Sequence, residues 1–126
     1  MRALDTNVLV RLITRDDAGQ AASADHWVED GAWVSILALA EATWVLSTVY
    51  ERGATEIASA VQMLLNHREL ALQDSDVVGA ALQRFRERPA LGFSDCLLLE
   101  LARKAGHLPL GTFDRELSKL DGAEKL

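Results

Sequence analysis

The sequence is poor in cysteine and proline, and each shortage excludes a class of protein. Its 126 residues include one cysteine, Cys96, which has no partner in the chain for a disulfide bond. A disulfide-stabilised secreted scaffold is therefore excluded. Two prolines and eight glycines are too few for a low-complexity chain. Hydrophobic residues make up 49% of the chain, which is too many for intrinsic disorder and enough for a buried core.

The sequence also lacks the features of a signal peptide or a membrane helix. Asp5, Arg11 and Arg15 fall where a signal peptide needs its apolar core. Residues 32–50 form a long apolar stretch, but Glu41 stands near its middle. An acid at the centre of a bilayer costs roughly 2.5–3.5 kcal/mol, and no basic cluster flanks this stretch to orient it. We therefore predict a cytoplasmic protein without a membrane-spanning segment.

Positive charge is scarce, since 13 Lys and Arg residues face 19 Asp and Glu residues and the net charge is −6. Nucleic-acid-binding proteins usually carry a basic surface, so the net charge alone argues against that function. The charges are, however, unevenly distributed. Residues 16–76 contain eleven acidic and two basic residues, whereas residues 84–119 contain seven basic and five acidic residues. The second half of the chain could therefore present a locally positive face.

Short apolar segments alternate with segments of helical periodicity along the chain. The short segments predict strands near residues 2–5, 33–35, 70–72 and 108–112, with a further edge strand in the C-terminal tail. The predicted helices cover residues 6–13, 17–30, 36–52, 55–67, 76–88, 94–104 and 115–120, of which 36–52 is expected to be buried. This alternation predicts an α/β fold with a short, mainly parallel sheet. No linker or internal repeat is visible, so residues 1–126 are expected to form one domain.

Ligands of such folds bind beyond the carboxyl ends of the strands, and four acidic residues are expected in that region. Asp5 follows the first strand and Asp114 the fourth, Asp95 opens a helix, and Glu41 lies in the helix after the second strand. Each aspartate also suits the alternative role of a helix N-cap. Capping does not explain Glu41, the only charged residue in 34–50. We interpret it as a buried carboxylate, the alternative being a solvent-facing stripe of its helix.

Four carboxylates gathered in one place would repel one another unless some were protonated or cations compensated them. Ligand sets made of oxygen alone suit Mg²⁺ or Mn²⁺. Zinc is not indicated, because His26, His67 and His107 are scattered and the chain has no CxxC motif. A divalent cation in such a cluster activates water and neutralises charge on a phosphodiester, which would reconcile an acidic protein with a phosphate substrate.

Other residues of the chain could contact a nucleic acid. Seven arginines are candidates for phosphate contacts: Arg11, Arg15, Arg84, Arg86, Arg88, Arg103 and Arg115. Trp27, Trp33 and Trp44 could stack on bases, but their spacing favours positions in the core. The chain has no P-loop, dinucleotide-binding or GxSxG motif.

The chain resembles a PIN-domain ribonuclease, and more narrowly a VapC-type toxin of a toxin–antitoxin pair, in four segments that follow in order: LDTNVLVR, VSILALAEATWVL, GFSDCLLLELARKAG and GTFDRELSKL. The resemblance covers essentially the whole chain. It implies a three-layer α/β/α domain over residues 1–126 with a short, mainly parallel central sheet. It further implies an endoribonuclease that uses Mg²⁺ or Mn²⁺, cuts single-stranded or loop RNA and leaves a 5′-phosphate. Its partners would be a small cognate antitoxin and, commonly, a second copy of the chain.

The same resemblance implies roles for individual residues. Asp5 would be the central metal ligand, and Asp95 would join it in holding the cation. Glu41 would lie on the helix after the second strand, and Asp114 would complete the acidic ring. All four would serve as catalytic and metal-binding residues. The resemblance also assigns supporting polar positions to Thr6, Asn7, Ser35 and Thr112. The chain departs from the family pattern at Gly92, where many relatives carry an acidic or polar residue. It departs again at Pro109 and Gly111, which interrupt the fourth strand.

Two other functions stay open at this point. A phospho-acceptor receiver domain also gathers acids at strand ends, but it needs an acidic pair after its first strand and a lysine after its last. Here Thr6 and Asn7 follow Asp5, and Lys104 lies inside a predicted helix. A non-catalytic PIN-like binding module would keep the fold and lose metal ligands, whereas all four acids are present.

Overall fold

The computed structural model describes residues 1–126 and contains six α-helices, five strands and one 3₁₀ helix. The strands are β1 Arg2–Ala3, β2 Ala32–Val34, β3 Leu70–Leu72, β4 Leu110–Thr112 and β5 Ala123–Lys125. The α-helices are α1 Thr6–Thr14, α2 Ala18–Val28, α3 Ile36–Thr48, α4 Ala54–Asn66, α5 Ser75–Glu87 and α6 Phe93–Ala105, and the 3₁₀ helix is Leu117–Lys119. The predicted α/β class and the short parallel sheet are confirmed.

Strands β1, β2 and β3 form a parallel sheet with β2 in the centre. Ala32 of β2 lies opposite Arg2 on one side and Leu70 on the other. A pair of helices links each strand to the next, as parallel pairing requires a long crossover. Because the strands run in one direction, the residues that follow them come together at one edge of the sheet. Those residues include Asp5, Ser35 and Gln73.

Strands β4 and β5 form a second parallel ladder, in which Leu110 lies opposite Ala123 and Thr112 opposite Lys125. The predicted strand in the C-terminal tail is therefore confirmed, and it pairs with β4 alone. Strand β4 is shorter than predicted, since it begins after Pro109. Proline has no N–H group to contribute to a ladder, which accounts for the late start. Gly111 is part of the strand.

One hydrophobic core of 28 buried residues connects the helices with the sheet. Helix α5 buries one face, made up of Val77, Val78, Ala81, Leu82 and Phe85. The ring of Phe85 packs edge-to-face on Phe93 at the start of α6, with 5.8 Å between the ring centroids. This contact fixes the beginning of α6 against α5.

Helix α3 differs from its prediction in both length and burial. It ends at Thr48 rather than near residue 52, and the expectation of a buried helix is wrong. Its buried stripe consists of Ala38, Leu39, Ala42, Thr43 and Leu46, whereas Leu37 and Trp44 on the opposite side are exposed. Apolar composition predicted burial, but only one stripe has neighbours to pack against. Neither α3 nor any other helix has the length and apolar character that crossing a bilayer requires.

The prediction that the tryptophans lie in the core is also wrong. Trp27, Trp33 and Trp44 expose 37%, 39% and 63% of their surface. Trp27 lies over the first strand, where its indole N–H donates to the Ala3 carbonyl at 3.0 Å. The Arg2 guanidinium stacks on the same ring, 3.7 Å from its centroid. Trp27 thus covers the edge of the sheet while keeping one side in solvent.

A buried carboxylate connects α6 to the C-terminal ladder. Glu100 is 5% exposed, and it accepts a hydrogen bond from Arg103 Nε at 2.8 Å. Arg84 of α5 lies 3.7 Å from its other oxygen. Arg103 also donates to the Asp121 carbonyl at 2.6 Å, just before β5. The ion pair of Glu100 and Arg103 therefore stabilises the position of β5, and Glu100 also stabilises the contact between α5 and α6.

We predict that Arg103→Met lowers the free energy of unfolding by roughly 2–3 kcal/mol, because it leaves the buried Glu100 with one distant partner. The value lies just below the roughly 3–5 kcal/mol typical of broken buried pairs, because Arg103 is partly exposed. Urea titration measures it. The double variant Glu100→Met/Arg103→Met should recover part of the loss, because it leaves no unpaired charge. A double variant less stable than Arg103→Met would contradict this account.

Candidate active site

Asp5 lies at the end of β1 and is the N-cap of α1. Its Oδ1 accepts a hydrogen bond from the Val8 backbone N–H at 3.0 Å. The residue is exposed, and Oδ2 makes no hydrogen bond. The capping alternative raised by the sequence is therefore correct for Asp5, but capping occupies only one oxygen. The second oxygen stays free for a ligand.

Glu41 is exposed, so its prediction as a buried carboxylate is wrong. It lies on the solvent-facing stripe of α3 with Leu37 and Trp44, which was the alternative interpretation. Its Oε2 accepts a hydrogen bond from the Thr6 hydroxyl at 2.7 Å. Thr6 is the residue after Asp5, and α1 packs against α3. The bond therefore places the Glu41 carboxylate at the start of α1, next to the residue that follows Asp5.

Asp95 and Asp114 lie near enough for their charges to interact, although 19 positions separate them in the sequence. Asp95 is half-buried in the first turn of α6. Burial raises the pKa of its carboxyl, the nearby charge of Asp114 raises it further, and a hydrogen bond from the Gly92 backbone offsets part of the effect. Two negative groups are thus held near each other, one of them in a partly desolvated position.

Asp114 follows β4 in a turn that its own hydrogen bonds define. Its Oδ1 accepts from the Leu117 backbone N–H at 2.9 Å, and its backbone N–H donates to the Thr112 hydroxyl at 3.0 Å. The residue is exposed. Asp114 therefore resembles Asp5, since each caps a helical turn with Oδ1 and keeps Oδ2 free.

Three other polar residues lie at the same edge of the sheet. Ser35 caps α3 by accepting from the Ala38 backbone N–H at 3.0 Å. Asn7 is exposed and lines a shallow cavity together with Asp5. The sequence pattern did not indicate Gln73, whose side-chain oxygen accepts a hydrogen bond from the Ile36 backbone N–H at 2.9 Å. Gln73 directly follows β3, so the rule that selected the residues after the other strands would have found it.

The structure contains no group of three or more His, Cys, Asp or Glu side chains arranged to share one metal ion. Mg²⁺ does not require such a group, because it usually binds through one or two carboxylates, several waters and the phosphates of the substrate. Asp95 and Asp114 could supply these two carboxylates, since a cation would offset the repulsion between them. The donors are oxygens alone, because His26 and His107 are exposed elsewhere on the surface and His67 accepts from the Glu69 N–H.

Cys96 adjoins Asp95 in the sequence but takes no part in the site. Its side chain is buried, and burial together with the charges of Asp95 and Glu100 raises the pKa of the thiol to about 11. A thiol that stays protonated at neutral pH and has no access to solvent is a poor nucleophile. Cys96 belongs to the core face of α6.

Most of the candidate phosphate-binding arginines are already engaged. Five of the seven form ion pairs with carboxylates: Arg11, Arg15, Arg84, Arg88 and Arg103. Arg86 donates to Gln62 at 3.1 Å, and only Arg115 has no side-chain partner at all. The positive face suggested by the sequence of the second half is therefore largely neutralised.

The arrangement of acids at the edge of a parallel α/β sheet agrees with the comparison with known families. Residues 2–123 match the PIN domain family. The chain belongs to the PIN domain family. PIN domains are generally nucleases, and they commonly use Mg²⁺ or Mn²⁺. A search of curated proteins found no match to this chain. The resemblance to a PIN domain noted in the sequence is confirmed.

We predict that Asp95→Asn raises the melting temperature of the metal-free PIN domain at neutral pH. The raised pKa of Asp95 means that its ionisation is less favourable in the folded chain than in the unfolded chain. Stability is therefore lost as the pH rises through the folded pKa. Asparagine avoids this loss and can still accept the Gly92 N–H, so the gain should vanish below about pH 4, where both states are protonated.

Asp76→Asn is the matched control, because Asp76 also lies in the first turn of a helix. A hydrogen bond from Lys104 lowers the pKa of Asp76, so its ionised form stabilises the fold. Asp76→Asn should therefore lower the melting temperature under the same conditions. Thermal unfolding in a chelating buffer between pH 4 and 8 measures both variants. A lower melting temperature for Asp95→Asn at neutral pH would contradict the proposed repulsion.

Proposed function

We propose that this PIN domain is a Mg²⁺- or Mn²⁺-dependent endoribonuclease whose active site comprises Asp5, Glu41, Asp95 and Asp114. The observation that carries the proposal is the half-buried Asp95, whose pKa is raised partly by the neighbouring charge of Asp114. A fold does not maintain two repelling carboxylates for its own stability, whereas such pairs are typical of cation sites.

The proposal gives each residue of the site a separate role. Asp95 and Asp114 would hold the cation. Asp5 is not grouped with them in the structure, so its free oxygen would have to approach the same cation from the end of β1 when the cation binds. Thr6 orients Glu41 through the 2.7 Å hydrogen bond, which leaves Glu41 able to accept a proton or a water hydrogen. When bound, the cation supplies activation of water and neutralisation of phosphate charge. The capping bonds of Asp5 and Asp114 fix the carboxylate directions before the substrate arrives.

One observation favours a second candidate, a non-catalytic PIN-like binding module. No three acidic side chains are arranged to share a metal ion in the structure. The receiver-domain alternative has no comparable support, because the chain belongs to the PIN family. The ammonium of Lys104 is moreover bound to Asp74 at 2.9 Å and Asp76 at 3.1 Å, both at the start of α5.

We further propose that the biological role is that of a VapC-type toxin acting in the cytoplasm. Its protein partners would be a small cognate antitoxin and a second copy of the chain. Exposed apolar side chains on and just after α3, namely Leu37, Trp44 and Val49, support a protein contact there. A short neighbouring reading frame that encodes a DNA-binding antitoxin would support the toxin role.

We predict that Asp5→Asn reduces Mg²⁺-dependent cleavage of total RNA at least as much as the loss of a group that orients a metal ligand, which is about 10- to 100-fold, because a cation ligand loses its charge. Asp17→Asn is a matched control. Asp17 caps α2 through a 2.9 Å bond from the Gln20 N–H, just as Asp5 caps α1. Asparagine caps as well as aspartate, so both variants should fold normally. Full cleavage by Asp5→Asn, or cleavage by the wild type in EDTA, would refute the proposed mechanism.

We also predict that Mg²⁺ raises the melting temperature of the wild-type protein after chelator treatment, because a ligand that binds only the folded state stabilises it. The gain is about 2.7 kcal/mol when Mg²⁺ is at 100 times its dissociation constant. Asp95→Asn should show little of this shift. NaCl at equal ionic strength controls for screening. An equal shift in NaCl would favour the non-catalytic module.

A further inference from the structure

Two residues with unusual surroundings flank Asp114 in the sequence. Phe113 is 81% exposed, as much as the N-terminal methionine, although it lies in an ordered turn. Arg115 is also exposed, on the other side of Asp114. An aromatic ring left in water and a free guanidinium, next to a residue of the proposed active site, are the chemical groups that bind single-stranded nucleic acid.

Arg115 is one of three basic residues, together with Arg68 and Lys125, whose side chains have no partner, and it is the one beside Asp114. Five of the seven candidate arginines form ion pairs, but Arg115 makes neither an ion pair nor a side-chain hydrogen bond. The adjacent carboxylate, Glu116, is already bound to Lys119 at 3.1 Å and lies 3.8 Å from Arg88. The guanidinium of Arg115 is therefore not paired with a carboxylate and is available to bind an external anion.

The turn that carries both residues is held by several hydrogen bonds. Asp114 is fixed through Thr112 and Leu117, as described above. The Ser118 hydroxyl donates to the Arg115 carbonyl at 2.7 Å, and the Ser118 N–H donates to the Asp114 carbonyl at 3.0 Å. The backbone of the turn thus presents Phe113 and Arg115 at a fixed position relative to the Asp114 carboxylate.

We propose that Phe113 and Arg115 bind single-stranded RNA beside the acidic site, with the Phe113 ring stacking on an unpaired base and the Arg115 guanidinium contacting a backbone phosphate. This inference rests on the proposed nuclease function and specifies how that site holds its substrate. Single strands are favoured over duplexes because a base can stack on a side chain only when it is unpaired. The phosphate contact also offsets the repulsion that an RNA strand meets near Asp95 and Asp114.

The test measures RNA binding separately from cleavage. A labelled single-stranded RNA oligonucleotide is titrated with the Asp5→Asn protein in Mg²⁺, and anisotropy gives the dissociation constant. Adding Phe113→Ala should weaken binding about 5- to 100-fold, and Phe113→Tyr should restore it. An oligonucleotide with abasic positions should bind more weakly to the parent, with no further loss on Phe113→Ala. Adding Arg115→Ala should lower the salt dependence of log K by about 0.7, whereas Arg115→Lys should keep it.

Arg86→Ala is the matched control, because Arg86 is also exposed and without an acidic partner but lies on α5 against Gln62 of α4. It should leave binding unchanged. If Phe113→Ala and Arg115→Ala bind RNA like Arg86→Ala, the inference is wrong. If Phe113→Ala leaves RNA binding intact but converts a dimer to a monomer in light scattering, Phe113 is a protein contact and the inference is also wrong.

The cleavage assay separates this inference from the proposed function. A wild-type protein that cleaves RNA, together with variants that bind RNA normally, overturns the inference and leaves the nuclease function standing. If the wild-type protein does not cleave RNA, but its RNA binding depends on Phe113 and Arg115, the nuclease function is overturned and the RNA-binding inference stands.

Discussion

The carboxylates of Asp95 and Asp114 repel each other, and the proposed chemistry depends on the fold keeping them together. Asp95 is attached to the first turn of α6, whose opposite face is buried in the core. Asp114 is attached to a turn that Thr112 and Leu117 hold. The packing of α6 on α5, including the contact between Phe85 and Phe93, fixes the position of Asp95, where burial and the charge of Asp114 both disfavour its ionised form. Such an arrangement lowers the stability of the free protein and favours cation binding, because a cation offsets both the desolvation of Asp95 and the charge of Asp114.

Capping and catalysis are compatible roles for the aspartates, although the sequence presents them as competing interpretations. A carboxylate has two oxygens, and an N-cap uses one of them. Asp5 and Asp114 each bind a backbone N–H through Oδ1, which orients the whole group without engaging Oδ2. The backbone N–H groups at the start of each helical turn thereby orient the carboxylate. In other active sites, neighbouring side chains that hydrogen-bond to the catalytic group do this. For Glu41, which cannot cap, Thr6 provides that positioning.

The sequence predicted the features of this protein that depend on local pattern, and it failed where distant neighbours decide the outcome. Periodicity located all six α-helices to within a few residues and placed β3 at residues 70–72. It could not show that α3 packs on one stripe only, because the exposure of Trp44 depends on which elements lie opposite. The charge of Glu41 stood out in an apolar segment, but its exposure and its bond to Thr6 involve a contact across 35 positions. The neutralisation of most arginines likewise depends on pairs such as Arg88 and Glu116, which only the folded chain brings together.

The distribution of paired and free charges is consistent with the proposed RNA-binding site in a protein of net charge −6. Net charge sets the long-range potential, which here opposes the approach of RNA and is weakened by salt beyond about 10 Å. Binding at contact distance depends instead on which groups are unpaired. Ion pairs remove five of the candidate arginines from that set, so the basic second half of the chain offers much less free positive charge than its composition indicates. The guanidinium of Arg115 stays free one residue from Asp114, and a phosphate bound there would lie beside the acidic site, where a nuclease needs it.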